Sequence, residues 1–181
     1  MTISEIINSS SASFLDPNIC IISDFLDTEI YGSLLSLAKN SKDDDWYNIK
    51  KNHRFKKPLD ISEDITDLIL SKVRLALPGD YDLQGFSGIS RMFAKDSMAE
   101  HHDEAGRPAL YGLVYYLNGD IEGGKIHYTK KDIRYQPVAN SLVIHPSTFE
   151  YSHEVEIVKS GIRYSSVGFG YRTDVEYKKY L

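Results

Sequence analysis

Apolar positions in the first half of this chain recur at helical spacing, and those in the second half come in short alternating runs. Ile30, Leu34, Leu35 and Leu37 fall roughly on one face of a helix that starts at an Asp24 or Asp27 cap and runs to residue 38. Residues 60–77 repeat the pattern with Ile65, Leu68, Ile69, Val73 and Leu77. Ser62 stands at the expected start of that helix, and Pro78-Gly79-Asp80 stops it. Residues 19–22 form a short β-type run, the polar acidic stretch 40–45 reads as a loop, and the Ser-, Thr- and Asn-rich segment 1–13 reads as a loose leader. From residue 83 onward, runs of Tyr, Val, Ile and Phe predict strands at 88–93, 109–117, 125–128, 141–144, 153–158 and 162–171. Turns at Asn118-Gly119-Asp120, Gly123-Gly124 and Lys159-Ser160-Gly161 separate them, and residues 176–181 predict a last helical turn. Helices first and strands after imply an α+β fold: one domain over 1–181, with supporting helices on a jelly-roll core.

Composition narrows the class. A chain of 181 residues with 41% apolar and 26% charged residues fits one globular core. A formal charge of -5 disfavours binding nucleic acid through bulk electrostatics. The basic stretch 50–57 keeps a local contact open, although a solvated loop is the simpler reading. Cys20 is the only cysteine, so no internal disulfide forms, and a reducing, cytoplasmic setting is expected. No apolar run approaches the roughly 20 residues that span a bilayer, and the N-terminus shows no secretory pattern.

The candidate chemistry lies in the second half. His101-His102-Asp103 is an H-x-D pair, and His153 follows about fifty residues later. Residues i and i+2 of a strand face one side, so His101 and Asp103 can aim at one point while His102 points away. Two imidazoles and one carboxylate on a β scaffold are the ligand set of a mononuclear non-haem Fe(II) oxygenase. Arg163 follows the 159–161 turn and is expected on a strand paired with that of His153, sharing its inward face. A guanidinium grips a carboxylate through two parallel hydrogen bonds, which suits a dicarboxylate co-substrate. Arg91, two residues from Phe93, is the candidate for the substrate side. His127 and His145 read as packed strand or turn histidines and His53 as solvated. Of Tyr115 and Tyr116, alternation allows only one to face inward.

Four blocks carry a family resemblance: His101-His-Asp103, Tyr115-Tyr-Leu-Asn118 with Gly123-Gly-Lys-Ile-His-Tyr128, the run 137–146, and His153-Glu-Val with Gly161-Ile-Arg-Tyr164. In this order, over about residues 86–181, the chain resembles the 2-oxoglutarate- and Fe(II)-dependent dioxygenases, and within them the prolyl 4-hydroxylase type. Oxygen-sensing prolyl hydroxylases and their microbial and viral relatives are the most similar in motif. The resemblance implies a double-stranded β-helix core, with His101, Asp103 and His153 as iron ligands and Arg163 binding the far carboxylate of 2-oxoglutarate. It assigns the hydroxyl donor to that carboxylate to Tyr115. Phe93 and Val167 stand where relatives carry a tyrosine and a threonine near the co-substrate, and Ser165 is the substitute contact. Fe(II), 2-oxoglutarate and O2, with ascorbate as accessory, are the implied cofactors, and succinate and CO2 the by-products.

Three functions compete. The first is hydroxylation of a peptide or protein substrate, most simply at a prolyl residue. The second is the same chemistry on a free amino acid, nucleobase or other small metabolite. The third is a non-catalytic jelly-roll that binds metal or ligand. Against the third stands a complete triad beside a dicarboxylate grip, which a plain binding module does not need. Fold and cofactor do not choose between the first two.

Overall fold

The structure is a computed structural model and describes residues 2–50, 53–57, 61–103 and 109–174. Helix α1 (Ile3–Ile6) and strands β1 (Ala12–Asp16) and β2 (Ile19–Ile22) lead into helix α2 (Thr28–Asn40). Strands β3 (Tyr47–Lys50) and β4 (His53–Lys57) precede helix α3 (Glu63–Ala76). Strands then follow in close succession: β5 (Asp82–Gly85), β6 (Ser90–Met92), β7 (Met98–His101) and β8 (Ala109–Tyr116). The short β9 (Glu122–Gly123), β10 (Ile126–Tyr128) and β11 (Ile133–Tyr135) come next. The chain closes with β12 (Ser141–Pro146), β13 (His153–Val155), β14 (Val158–Ser160) and β15 (Arg163–Tyr171).

Two sheets face one another. The larger has nine strands, ordered β1-β2-β12-β8-β15-β6-β4-β3, with β5 also on β15. The smaller runs β11-β10-β13-β7, and β14 pairs with β9 apart from both. Alternation along the central strands sorts the side chains. Leu113, Tyr115 and Leu117, with Leu142 and Ile144 of β12, join Leu34, Ala38, Ile69 and Val73 of the helices in one core. The intervening Val143 and Tyr116 turn the other way and pack with Ile126, Tyr128, Tyr135 and Tyr151 between the sheets. Burying each large apolar side chain contributes about 1.5–3 kcal/mol, so both faces of the larger sheet are held. The layers are therefore helices, large sheet and small sheet, and this is the expected α+β jelly-roll.

Both predicted helices form. Asp27 is the N-cap of α2 and Ser62 that of α3. The leader is a correction: Ile3 is buried in the helix-side core, and the Asn8 amide donates to Ala76 O at 2.8 Å. Ser and Thr there satisfy local turns rather than marking a loose tail; Thr2 and Glu5 form a capping box on α1. The basic stretch 50–57 is in part β4, paired with β3; residues 51 and 52 and the predicted turn at 176–181 lie outside the described residues. Among the described residues no helix is long and apolar enough to cross a membrane.

Candidate metal and co-substrate site

The candidate ligands assemble at the small sheet and the turn that follows β7. His101, the last residue of β7, lies directly opposite His153, the first of β13, with ring centroids 4.5 Å apart. Asp103 sits in the turn just beyond β7, and its Oδ1 is 3.8 Å from His101 Nε2. One ligand atom from each of the three residues lies within 4.8 Å of the others.

Backbone contacts set up both imidazoles. His101 Nδ1 lies 2.9 Å from Ala99 O, and His153 Nδ1 lies 3.1 Å from Tyr151 O. With Nδ1–H donating to a carbonyl, Nε2 presents its lone pair, the form in which histidine binds metal. Burial, followed by the neighbouring His145 and His101, pushes the His153 pKa down to about 2, so the ring is neutral at any working pH. Two imidazoles, one carboxylate and an open side fit Fe(II) in its facial-triad form.

Arg163 faces this cluster from the large sheet. It is buried, donating from Nη1 to Ser165 Oγ at 3.0 Å and from Nη2 to the Tyr116 hydroxyl at 3.3 Å. Its guanidinium carbon lies 4.9 Å from the centre of the Tyr116 ring. Among the described residues Arg163 Nε has no hydrogen-bond partner, and no carboxylate pairs with the guanidinium. A buried cation without a counter-ion is costly, so the arrangement suits an anionic ligand that supplies one. Burial pushes the Tyr116 phenol up despite the arginine, so its O–H remains a donor. A cavity of roughly 230 Å³ connects the parts: His101, Asp103, His153, Arg163 and Ser165 all line it, with Val167 and Phe169 among its apolar walls. The residues thus fit both the metal and a dicarboxylate beside it.

Three expectations are corrected. First, Arg163 does not share a sheet with His153. β15 pairs with β5, β6 and β8, whereas β13 pairs with β7 and β10, so arginine and ligands meet across the sandwich. Val158–Ser160 breaks away to pair with β9, which ends the assumed hairpin. Second, the tyrosine at the arginine is Tyr116, not Tyr115. Tyr116 lies opposite Ser165 in the ladder and shares its face, while Tyr115 lies opposite Ser166 and donates its hydroxyl to Asn140 Oδ1 at 2.9 Å on the helix side. Third, Arg91 is remote from the cavity. It pairs in register with Tyr164, stacks 4.1 Å from the Trp46 ring centre and donates to Asp43 at 2.6 Å. On β6 it is Ser90 that joins the cavity wall.

His102 turns to the Phe149 ring, and His127 lies against Glu154 and Asp132. Phe93 stacks beside Arg91, at 4.8 Å from its guanidinium carbon. Gly112 was not singled out in the sequence, and His145, expected as a packed strand or turn histidine, is packed as expected but lies at the site. Gly112 of β8 gives Asp103 room: a methyl there would fall on Asp103 Oδ2, with His145 Cε1 2.5 Å away. His145, fully buried, lies on the same face of β12 directly opposite Gly112. A glycine inside a strand run is the signal that something approaches closely, and a histidine ending the apolar run 142–144 was the other.

Residues 87–171 match the family model described as the 2OG-Fe(II) oxygenase superfamily, a segment that holds the three candidate ligands and Arg163. No curated protein matches the chain in sequence. Among solved structures, a viral collagen prolyl hydroxylase from Paramecium Bursaria Chlorella virus-1, in complex with 2OG, superposes with a TM-score of 0.67 at 16% identity, covering 86% of this chain and 97% of that one. A prolyl-4-hydroxylase of Pseudomonas putida gives 0.66 at 16% identity, covering 86% and 92%. A prolyl hydroxylase of Trichoplax adhaerens, in complex with a hypoxia inducible factor oxygen degradation domain peptide fragment, gives 0.62 at 17%, covering 85% and 83%. The resemblance to 2-oxoglutarate/Fe(II) dioxygenases, prolyl hydroxylase-like in fold, therefore stands.

Proposed function

We propose that this 2-oxoglutarate-dependent dioxygenase hydroxylates a C–H bond of a peptidyl residue, most simply proline, beside a metal held by His101, Asp103 and His153. Fe(II) bound there with 2-oxoglutarate supplies the oxidising chemistry, with succinate and CO2 as co-products. The chain's own part is orientation. Arg163 and Tyr116 take the far carboxylate of the co-substrate, and Ser165 steadies the guanidinium. The apolar walls keep water from the reacting carbon.

One observation carries the choice of a peptidyl substrate. Among the described residues lining the cavity, the charged side chains are Asp103 and Arg163, and each already has a role. A free amino acid brings an ammonium and a carboxylate that both need counter-charges when buried. A residue inside a peptide brings neither. Arg91, the spare cation expected at the site, faces the helix side instead. The Trichoplax neighbour, solved with a peptide fragment, is consistent with this reading.

The test has two stages. Anaerobic addition of Fe(II) and then 2-oxoglutarate to the metal-free protein should raise the weak visible band of a chelated 2-oxo acid, with Asp103→Ala as control. Proline-containing peptides and a metabolite set are then compared for stimulated succinate release and gain of one oxygen. Turnover on free amino acids with none on peptides would refute the peptidyl reading.

A further inference from the structure

His145 is unexplained by the site as described. Its side chain is fully buried, its ring lies 4.7 Å from that of His153 and 5.4 Å from that of Tyr128, and it is not one of the clustered ligands. Among the described residues its Nε2 has no hydrogen-bond partner. The nearest ionic group is Asp103, whose Oδ2 lies 3.8 Å away, on the opposite side of the carboxylate from the Oδ1 that faces His101. The space between them is kept clear by Gly112, where a Cβ would stand 2.8 Å from His145 Nε2. A gap of 3.8 Å exceeds bonding distance of about 3.2 Å, and a small rotation of the Asp103 carboxylate closes it.

We propose that His145 is a positioning residue: its Nε2–H donates to Asp103 Oδ2 and leaves Oδ1 as the single carboxylate oxygen for the metal. Two tautomers compete. His145 Nδ1 lies 3.2 Å from Pro146 O, a neutral acceptor. Hydrogen bonds to a charged acceptor are roughly twice as strong as neutral ones, which favours the proton on Nε2. The reverse tautomer would aim a lone pair at a carboxylate in a dry pocket. The consequence is functional. A carboxylate free to chelate through both oxygens occupies a position that co-substrate and dioxygen need. Holding Oδ2 keeps that position open.

This inference rests on the metal-centre reading, and the experiment separates the two. Co(II) is titrated into native protein, His145→Phe and His145→Gln, with affinity and d–d absorption recorded alongside the melting temperature of each metal-free protein. His145→Phe keeps a ring without a donor and should lose about 10–100-fold in Co(II) affinity, as outer-shell partners typically cost. His145→Gln returns an amide donor near Nε2 and should recover most of that loss. Equal affinity and spectrum in native and Phe proteins would overturn the role of His145 while leaving the metal centre intact. Failure of the native protein to bind Co(II) would overturn both. Imidazole 15N spectra of metal-free native protein need no variant: protonation at Nε2 is expected, and protonation at Nδ1 of His145 refutes the proposal.

Discussion

Gly112→Ala tests the construction of the site most directly. The added methyl would fall on Asp103 Oδ2, with His145 Cε1 and Nε2 2.5 and 2.8 Å away, distances that real Cβ atoms do not show. One neighbour must move. The His145 ring is locked between His153 and Tyr128, and β8 sits between β12 and β15 in the large sheet. Asp103 lies past the end of β7 and swings more easily. The cost therefore falls on the ligand set and less on the fold. Residual overpacking of about 1 kcal/mol would lower the melting temperature of the metal-free protein by about 2–4 °C at this chain length. Displacing a ligand should weaken metal binding by at least about 100-fold, or about 2.7 kcal/mol. Co(II) titration with a melting curve of the metal-free protein measures both. Gly32→Ala is the control: a methyl there meets nothing within 4 Å in the middle of α2, so stability should rise by up to about 1 kcal/mol with metal binding unchanged. Native-like metal affinity in Gly112→Ala would show that the space over Gly112 has no bearing on the site.

Further expectations concern the co-substrate grip and the core. Tyr116→Phe should weaken 2-oxoglutarate binding by about 10-fold or more, since a hydrogen bond to a charged acceptor is worth about 1.5–3 kcal/mol. Tyr115→Phe should leave that binding alone and cost about 1–3 kcal/mol of stability through Asn140; the opposite pattern in calorimetry would reverse the assignment of the two tyrosines. Arg163→Ala should abolish most 2-oxoglutarate affinity and spare metal affinity, and equal loss of both would contradict its role. Burial pushes the Cys20 thiol up to about 12, so at pH 8 a thiol reagent should label it only as fast as the protein opens. Rapid labelling in native buffer would count against the buried position of β2.

The sequence made the helices legible because their apolar spacing is local: one face, one cap, one stop. The candidate triad was named from the H-x-D spacing, with His153 from the resemblance; strand alternation does not account for it, because β7 ends at His101 and the turn after it brings Asp103 to the cluster. Which of two adjacent tyrosines faces inward depends on the ladder between β8 and β15, and that pairing is set by residues about fifty positions apart. The same ignorance of long-range pairing placed Arg163 beside His153 rather than across from it. Arg91 failed for a simpler reason. Its neighbour Met92 takes the inward position beside Arg163 Nη1, and alternation then sends Arg91 to Trp46. The leader misled because its polar residues cap and turn while a few apolar residues, Ile3 with Ile6, Ile7 and Ala12, and the Asn8 amide anchor it. His145 was hidden by being an ordinary histidine at the end of an apolar run, important only through its partner on another strand.

The candidate metal ligands lie on the small sheet or just past its end and Arg163 lies on the large one, and Tyr116, Tyr128 and Tyr135 fill the space between the sheets. The thickness of that filling sets the reach from metal to guanidinium, and hence the length of oxo-diacid that can bridge them. Discrimination between a five-carbon co-substrate and its four-carbon homologue is therefore a property of the interlayer packing. Trimming a tyrosine that touches no ligand should shift that preference.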